Sequence, residues 1–184
     1  MARTIGSIEN YIATVADGEL YMHLYIGYEG AYRLDGGDFA VNQSVNFGET
    51  CRVSIEIDGP EGAFAVFNFK MPDRAGDCEL RVNGNKIDAL VVKNGYIKIA
   101  KNWSGGEKVE INFAMPVLQI AAHPKVWANT DKVAVQYGPF VYCLEEADNG
   151  TDLHLINIAR CGRDDGLGGQ RMKRFFNPHI RRLP

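Results

Sequence analysis

Polar and apolar residues alternate along most of this chain. In Cys51-Arg52-Val53-Ser54-Ile55-Glu56-Ile57 every second position is apolar, and Lys108-Val109-Glu110-Ile111-Asn112-Phe113 repeats the pattern. Runs of this kind are half-buried strands, with one face on a core and the other in water. Only the beginning departs from period two. Ile5, Ile8, Ile12 and Val15 recur at steps of three and four, which predicts a helix over 3–15. Asp17-Gly18 would end it, with the glycine in the left-handed cap position.

Turn residues divide the rest into short strands. Ala89-Leu90-Val91-Val92-Lys93 and Tyr96-Ile97-Lys98-Ile99 flank Asn94-Gly95, and Asn83-Gly84-Asn85 separates Leu80-Arg81-Val82 from Lys86-Ile87-Asp88. Asn-Gly suits a type I′ hairpin, whose two central residues both need positive φ. Further strands are predicted at 20–26, 39–45, 63–70, 117–121, 132–137 and 140–145. Between Val66 and Phe67 the apolar parity slips, so that strand either bulges or is covered on both faces. About ten strands with regularly spaced turns predict an all-β fold, an antiparallel, jelly-roll-like β-sandwich with one short N-terminal helix. The expected boundaries are 1–18 for the helical segment, 19–157 for the sandwich and 158–184 for an irregular basic tail.

The chain has 184 residues, enough for a domain that buries roughly 68–70% of its unfolded surface without staples. Charge changes the picture only locally. Residues 158–184 contain seven Lys or Arg and two Asp, a balance of +5, so the overall −3 leaves −8 on the remainder. That balance argues against nucleic acid on the main body. In the tail, Lys173-Arg174-Phe175-Phe176 and Arg181-Arg182 have the basic-aromatic character of RNA binders. An unstructured end, or sequence beyond the true domain boundary, is the favoured reading. No stretch approaches the ~20 apolar residues of a membrane span, and Met1 to Ser7 has no apolar signal core, so a chain without its own export signal is expected, cytoplasmic by default.

The sequence carries no recognisable catalytic signature. Cys51, Cys78, Cys143 and Cys161 are scattered and lack histidines at zinc-ligand spacing; Cys51 shares a strand face with Val53, Ile55 and Ile57 and is expected to be buried. His23, His123, His154 and His179 lie far apart, and His23 between Tyr21 and Tyr25 suits a structural role. Glu145, Glu146 and Asp148 precede Asn149-Gly150 and fit a solvated turn better than an acid/base pair. Asp35-Gly36-Gly37-Asp38 lacks the cadence of a calcium loop. No Gly-x-Ser-x-Gly, phosphate-binding loop or His-Glu-x-x-His occurs. The only candidate ligand contacts are Trp127 and Trp103, whose rings offer sugar-stacking platforms. Large aromatics in a sandwich more often belong to the core.

Taken in order, the strand motifs resemble a known family. They are Leu20-Tyr21-Met22-His23-Leu24-Tyr25-Ile26-Gly27; Met71-Pro72 followed by Cys78 and Val82-Asn83-Gly84; Asn94-Gly95-Tyr96-Ile97 through Trp103 to Gly106-Glu107-Lys108-Val109; Met115-Pro116-Val117; and Val133 to Glu145, with its Tyr137-Gly138-Pro139 turn. Together they resemble glycoside hydrolase family 127, the β-L-arabinofuranosidases and their relatives, over about residues 2–156. Tyr137 departs from the pattern, which has arginine there, and the tail from Ala159 does not follow it.

The resemblance implies a non-catalytic β-sandwich portion that braces a catalytic (α/α) barrel. The family's barrel precedes the sandwich and ends in Cys-Cys-Pro-Pro-Asn, which supplies a thiolate nucleophile and zinc ligands. Neither cysteine is present here, so no catalytic residue, and no zinc, is expected on this chain. The expected partner is the barrel, in cis or in trans, with an arabinose-containing glycan as its substrate and no nucleic acid or membrane. Apolar side chains of the 3–15 helix, left without the barrel, predict self-association. The alternative is a free-standing carbohydrate-binding or subunit-interaction module. A gene that is truncated, split or genuinely short fits the beginning at Met1 equally.

Overall fold

In the computed structural model, residues 7–47, 51–156 and 180–182 are described. The chain divides into two compact units, Met1–Ala114 and Met115–Pro184, so the single sandwich expected over 19–157 has residues in both.

Unit 1 contains eleven strands: β1 (Ala13–Ala16), β2 (Glu19–Met22), β3 (Tyr28–Leu34), β4 (Gly37–Phe47), β5 (Cys51–Asp58), β6 (Ala63–Lys70), β7 (Asp77–Val82), β8 (Asn85–Lys86), β9 (Val91–Lys93), β10 (Tyr96–Trp103) and β11 (Glu107–Ala114). They form a five-stranded sheet, β1-β2-β6-β10-β9, and a six-stranded sheet, β3-β4-β5-β11-β7-β8. Neighbours are antiparallel except β2 and β6, which pair in parallel through Leu20–Phe67 and Met22–Phe69. The inner faces interlock as an all-β sandwich. Phe39 of one sheet meets Phe67 of the other edge-on at 5.7 Å between ring centroids, and Phe67 packs on Trp103 at 4.8 Å. Leu20, Met22, Ile97, Val53, Ile55, Ile57, Val109 and Ile111 complete this core. Each such side chain stabilises the fold by roughly 1.5–3 kcal/mol on burial. Cys51 is buried among them, as its strand face predicts.

The helix expected over 3–15 is not formed in the described residues. Ile8–Tyr11 make a single 3-10 turn, and Ala13–Ala16 then join the sheet as β1. Asp17-Gly18 is a hairpin turn instead of a helix cap: Ala16 pairs with Glu19, and both turn residues have positive φ, 52° and 72°. Asp-Gly satisfies either geometry, and pairing with β2 decides it. Asn83-Gly84 and Asn94-Gly95 turn the same way, as expected. β3 is an element that the alternation concealed. Its inward positions are Tyr28, Gly30, Tyr32 and Leu34, and Gly30 interrupts the apolar signal because the Tyr28 ring lies back over it, its hydroxyl bonded to that of Tyr32. β6 runs in unbroken register against β10 from Ala63 to Lys70, and Ala65 to Asn68 are all buried. Of the two explanations for its parity slip, coverage on both faces is the one realised.

Unit 2 is a four-stranded antiparallel sheet in the order β12-β13-β14-β15, comprising β12 (Val117–Ala121), β13 (Val133–Tyr137), β14 (Phe140–Leu144) and β15 (Ile180–Arg182). One helical turn, α1 (Glu146–Asn149), follows β14. Among the described residues of this unit, Tyr137 is the one buried apolar side chain. β15 falls within the stretch expected to be an irregular tail, and pairs Ile180 with Leu144 and Arg182 with Tyr142. Cys161, His179 and the Lys173–Phe176 cluster lie outside the described residues.

Candidate functional site

The outward face of the five-stranded sheet carries a connected polar and aromatic cluster. Strand parity places Thr14, Glu19, Tyr21, His23, Asn68, Tyr96 and Lys98 there together. Glu19 accepts from Lys98 Nζ at 2.6 Å and from Asn68 Nδ2 at 3.0 Å, and the Tyr21 hydroxyl donates to it at 3.3 Å. The Lys98 hydrogen bond is the main reason its carboxyl is held below the usual range. Asn68 is only 3% exposed beneath these side chains. His23 is held at both ring nitrogens, by Thr14 Oγ1 at 2.8 Å and by the Tyr96 hydroxyl at 2.7 Å. Burial, aided by the Lys70 ammonium, lowers its pKa, so the ring is neutral near pH 7 and serves as donor and acceptor at once. This is the structural histidine that the sequence predicts.

A second cluster unites two of the motifs that carried the family resemblance. Glu107 is buried and accepts from Lys101 Nζ, from the Ser104 backbone N–H at 2.6 Å and from Asn83 Nδ2 at 3.3 Å. Asn83 Oδ1 accepts from the Lys108 N–H at 2.8 Å. Burial alone would raise the Glu107 pKa, but the Lys101 and Ser104 hydrogen bonds outweigh it and hold the carboxyl low. The Val-Asn-Gly turn and the Trp103-to-Glu107 turn are thereby tied together, and their chemistry is architectural.

The other candidates separate on exposure. Trp103 is 1% exposed, donates its indole N–H to the Ala65 carbonyl at 3.0 Å, and lies beneath Lys101 Nζ at 4.9 Å from the ring centroid. No face of it is left for a sugar. Trp127 is 85% exposed in a 3-10 turn, Trp127–Asn129, so its ring is accessible. Asp38 makes only an exposed 3.9 Å contact with Arg33 in the β3–β4 hairpin. Of Glu145, Glu146 and Asp148, Glu146 is exposed in α1, whereas Glu145 and Asp148 are half-buried. Burial raises the pKa of Cys51 and, with the Asp77 carboxylate, that of Cys78, so both stay protonated and unreactive. Among the described residues no group of three or more His, Cys, Asp or Glu gathers to hold a metal ion. No helix among the described residues is long and apolar enough to cross a membrane.

The two ends of unit 1 differ. One is closed by tight turns at Asp17-Gly18, Asn83-Gly84 and Gly105-Gly106. At the other, the Ile12 carbonyl accepts from the His23 and Leu24 amides, the Tyr25 hydroxyl donates to the Lys70 carbonyl at 2.6 Å, and the Tyr25 ring packs on Phe113 at 5.2 Å. Gln43 Nε2, buried, donates to the carbonyls of Leu24 and Ile26 at 3.0 and 2.7 Å. Ile8, Tyr11, Leu24 and Ile26 are exposed at this open end. The strand predicted over 20–26 therefore ends at Met22, and 23–27 is held by these side-chain bonds instead of strand pairing.

Comparison with known proteins places these units. Residues 19–115 match a family model described as the GH127 middle domain of β-L-arabinofuranosidases, and residues 117–173 match the glycoside hydrolase family 127 C-terminal domain. The second match reaches into the tail expected to lie outside the resemblance. A non-reducing end β-L-arabinofuranosidase of Bifidobacterium longum subsp. longum is 28% identical over 175 residues, 92% of this chain and 25% of that protein. The crystal structure of a GH127 β-L-arabinofuranosidase from Geobacillus stearothermophilus T6 superposes with a TM-score of 0.70 at 38% identity, covering 81% of this chain and 24% of that one. A further GH127 β-arabinofuranosidase structure gives 0.66 at 26% identity, covering 80% and 26%. The chain thus spans about a quarter of the length of the relatives it matches.

Proposed function

The chain belongs to glycoside hydrolase family 127, and from that premise we propose that it braces a catalytic (α/α) barrel, supplied in cis or in trans, that cleaves terminal β-L-arabinofuranosyl bonds. The observation that carries this is the extent of the match: middle and C-terminal accessory regions account for 19–115 and 117–173. The clusters of unit 1 agree with it. Glu19 and Glu107 are tied to lysines and amides instead of facing a cleft as an acid/base pair must. Nucleophile, zinc and the arabinose-containing glycan belong to the barrel in this reading. The test mixes the purified chain with a separately produced catalytic domain of the Geobacillus relative. Expected are no hydrolysis of an aryl β-L-arabinofuranoside by the chain alone, and a higher melting temperature for the catalytic domain in the mixture. Hydrolysis by the chain alone, or an unchanged melting temperature, would overturn it.

A carbohydrate-binding role is the second reading, favoured by Trp127 alone. Retardation on an arabinan gel that disappears in Trp127→Ala would support it; no retardation of the native chain would remove it.

A further inference from the structure

We infer that β3 is a self-association edge, along which a second copy of this chain adds its own β3, antiparallel and related by a two-fold axis. The inference is independent of the bracing role. β3 ends the six-stranded sheet, and among the described residues no strand pairs with its outer side. It is seven residues long, whereas the strands at the other sheet edges have two to five. An unpaired edge is a template for another chain, and folds ordinarily blunt it by shortness, lysine, proline or a bulge. β3 contains no lysine or proline, and its pairing with β4 runs unbroken from Tyr28–Gln43 to Leu34–Gly37. That register fixes which backbone groups are free. The two-residue turn Asp35-Gly36 makes Leu34–Gly37 a hydrogen-bonded pair, and alternation then directs the amides and carbonyls of Leu34, Tyr32, Gly30 and Tyr28 toward β4. Those of Glu29, Ala31 and Arg33 point to the open side, and all three residues are exposed.

The occupant follows from the order of side chains along the strand. A two-fold axis at Ala31 sets Ala31 against itself and Glu29 against Arg33 on either side of it. Each of these is a hydrogen-bonded pair, so every outward amide and carbonyl of the strand is satisfied. On the outer sheet face both carboxylates meet guanidiniums, and the small alanines lie on the axis. On the inner face Tyr28 comes opposite Leu34 and Gly30 opposite Tyr32, so a bulky ring faces the residue that has no side chain. Opposite charges directly across a strand pair stabilise it, and like charges destabilise it. Within one copy these charges are only weakly engaged. Arg33 Nε lies 3.9 Å from Asp38 with both side chains exposed, and Glu29 accepts from Asn42 Nδ2 at 3.3 Å. Pairing along a single strand edge buries little area, so the dimer is expected to dissociate on dilution.

The test is sedimentation of the full chain across a dilution series. The native chain should show a monomer–dimer equilibrium that salt weakens. Glu29→Arg and Arg33→Glu each set like charges across the axis and should weaken dimerisation at least about tenfold. Mixed in equal amounts, the two variants again oppose arginine to glutamate, and dimer should return to within about twofold of the native level. Rescue by mixing excludes misfolding as the cause of the loss, and Trp103 fluorescence checks each variant alone. Amide exchange resolved by residue gives a readout on the native chain. Protection at Glu29, Ala31 and Arg33 should rise with concentration, whereas Tyr28, Gly30 and Tyr32, already bonded to β4, should not change. A native chain that stays monomeric, single variants that dimerise like it, a mixture that stays monomeric, or protection independent of concentration overturns the proposal. Dimerisation that survives both charge reversals but is lost in Tyr11→Glu overturns it too, and assigns self-association to the exposed Ile8–Tyr11 turn.

Discussion

Unit 1 and unit 2 are written in the same alternating code, but it does different work in each. In unit 1 the apolar faces of two sheets close on one another, and side chains such as Phe67, Ile55 and Trp103 lose nearly all contact with water. In unit 2 the described strands form one sheet, and of its described apolar side chains only Tyr137 is buried. An alternating strand creates an apolar face; a second layer makes that face a core.

The contrast is testable because each unit contains one tryptophan, buried in unit 1 and exposed in unit 2. The largest effect should come from Trp103→Ala, which empties a cavity against Phe67 and orphans the Ala65 carbonyl, for about 3–5 kcal/mol. Amide exchange should show unit 1 opening while the pairing of β12 to β14 is unchanged. Equal loosening of both units would mean that they unfold as one. Next is Glu107→Ala, which leaves the Ser104 amide and Asn83 without their acceptor and should cost about 1–3 kcal/mol in urea titrations.

The same carboxylates give unit 1 an acid limit. The folded pKa of Glu107 and of Glu19 lies below the ordinary 4.5. Their stabilisation is therefore complete above the unfolded value and is lost as pH falls through the folded one. Unfolding followed at Trp103, in a Trp127→Phe background, should move to a lower denaturant midpoint below about pH 4.5, and Glu107→Gln should flatten that slope. A slope unaffected by Glu107→Gln would place the acid sensitivity elsewhere. Tyr137→Ala should cost unit 2 about 1–2 kcal/mol, less than the Trp103 change costs unit 1. Trp127→Ala, at an exposed site, should fall within about 0.5 kcal/mol of the parent.

How much was legible follows from what each signal measures. The strands of Cys51 to Ile57 and Lys108 to Phe113, the Asn-Gly hairpins and the burial of Cys51 depend on local pattern, and the structure has them where the sequence predicts them. β1 was misread because Ile8, Ile12 and Val15 fit a helical period, while its pairing with β2 is decided across the Asp17-Gly18 turn. β3 was hidden by Gly30. The Glu19–Lys98–Asn68 and His23–Tyr96 contacts join strands up to 79 residues apart, and no local spacing announces them. Trp103, in a turn between strands, and Trp127, after Pro124, suggest a core cap and a more exposed ring, and packing buries the first and exposes the second.

By itself, the sequence determined the all-β class, most strand positions, the family and the lack of a local catalytic motif, because alternation, turn chemistry and ordered motifs are properties of neighbouring residues. The tertiary structure alone decided that β6 is covered on both faces, that Glu107 and Asn83 form one buried joint, and that Leu24 and Ile26 face outward at an anchored open end. Those outcomes depend on which strands become neighbours in space, and burial is a property of the assembled layers.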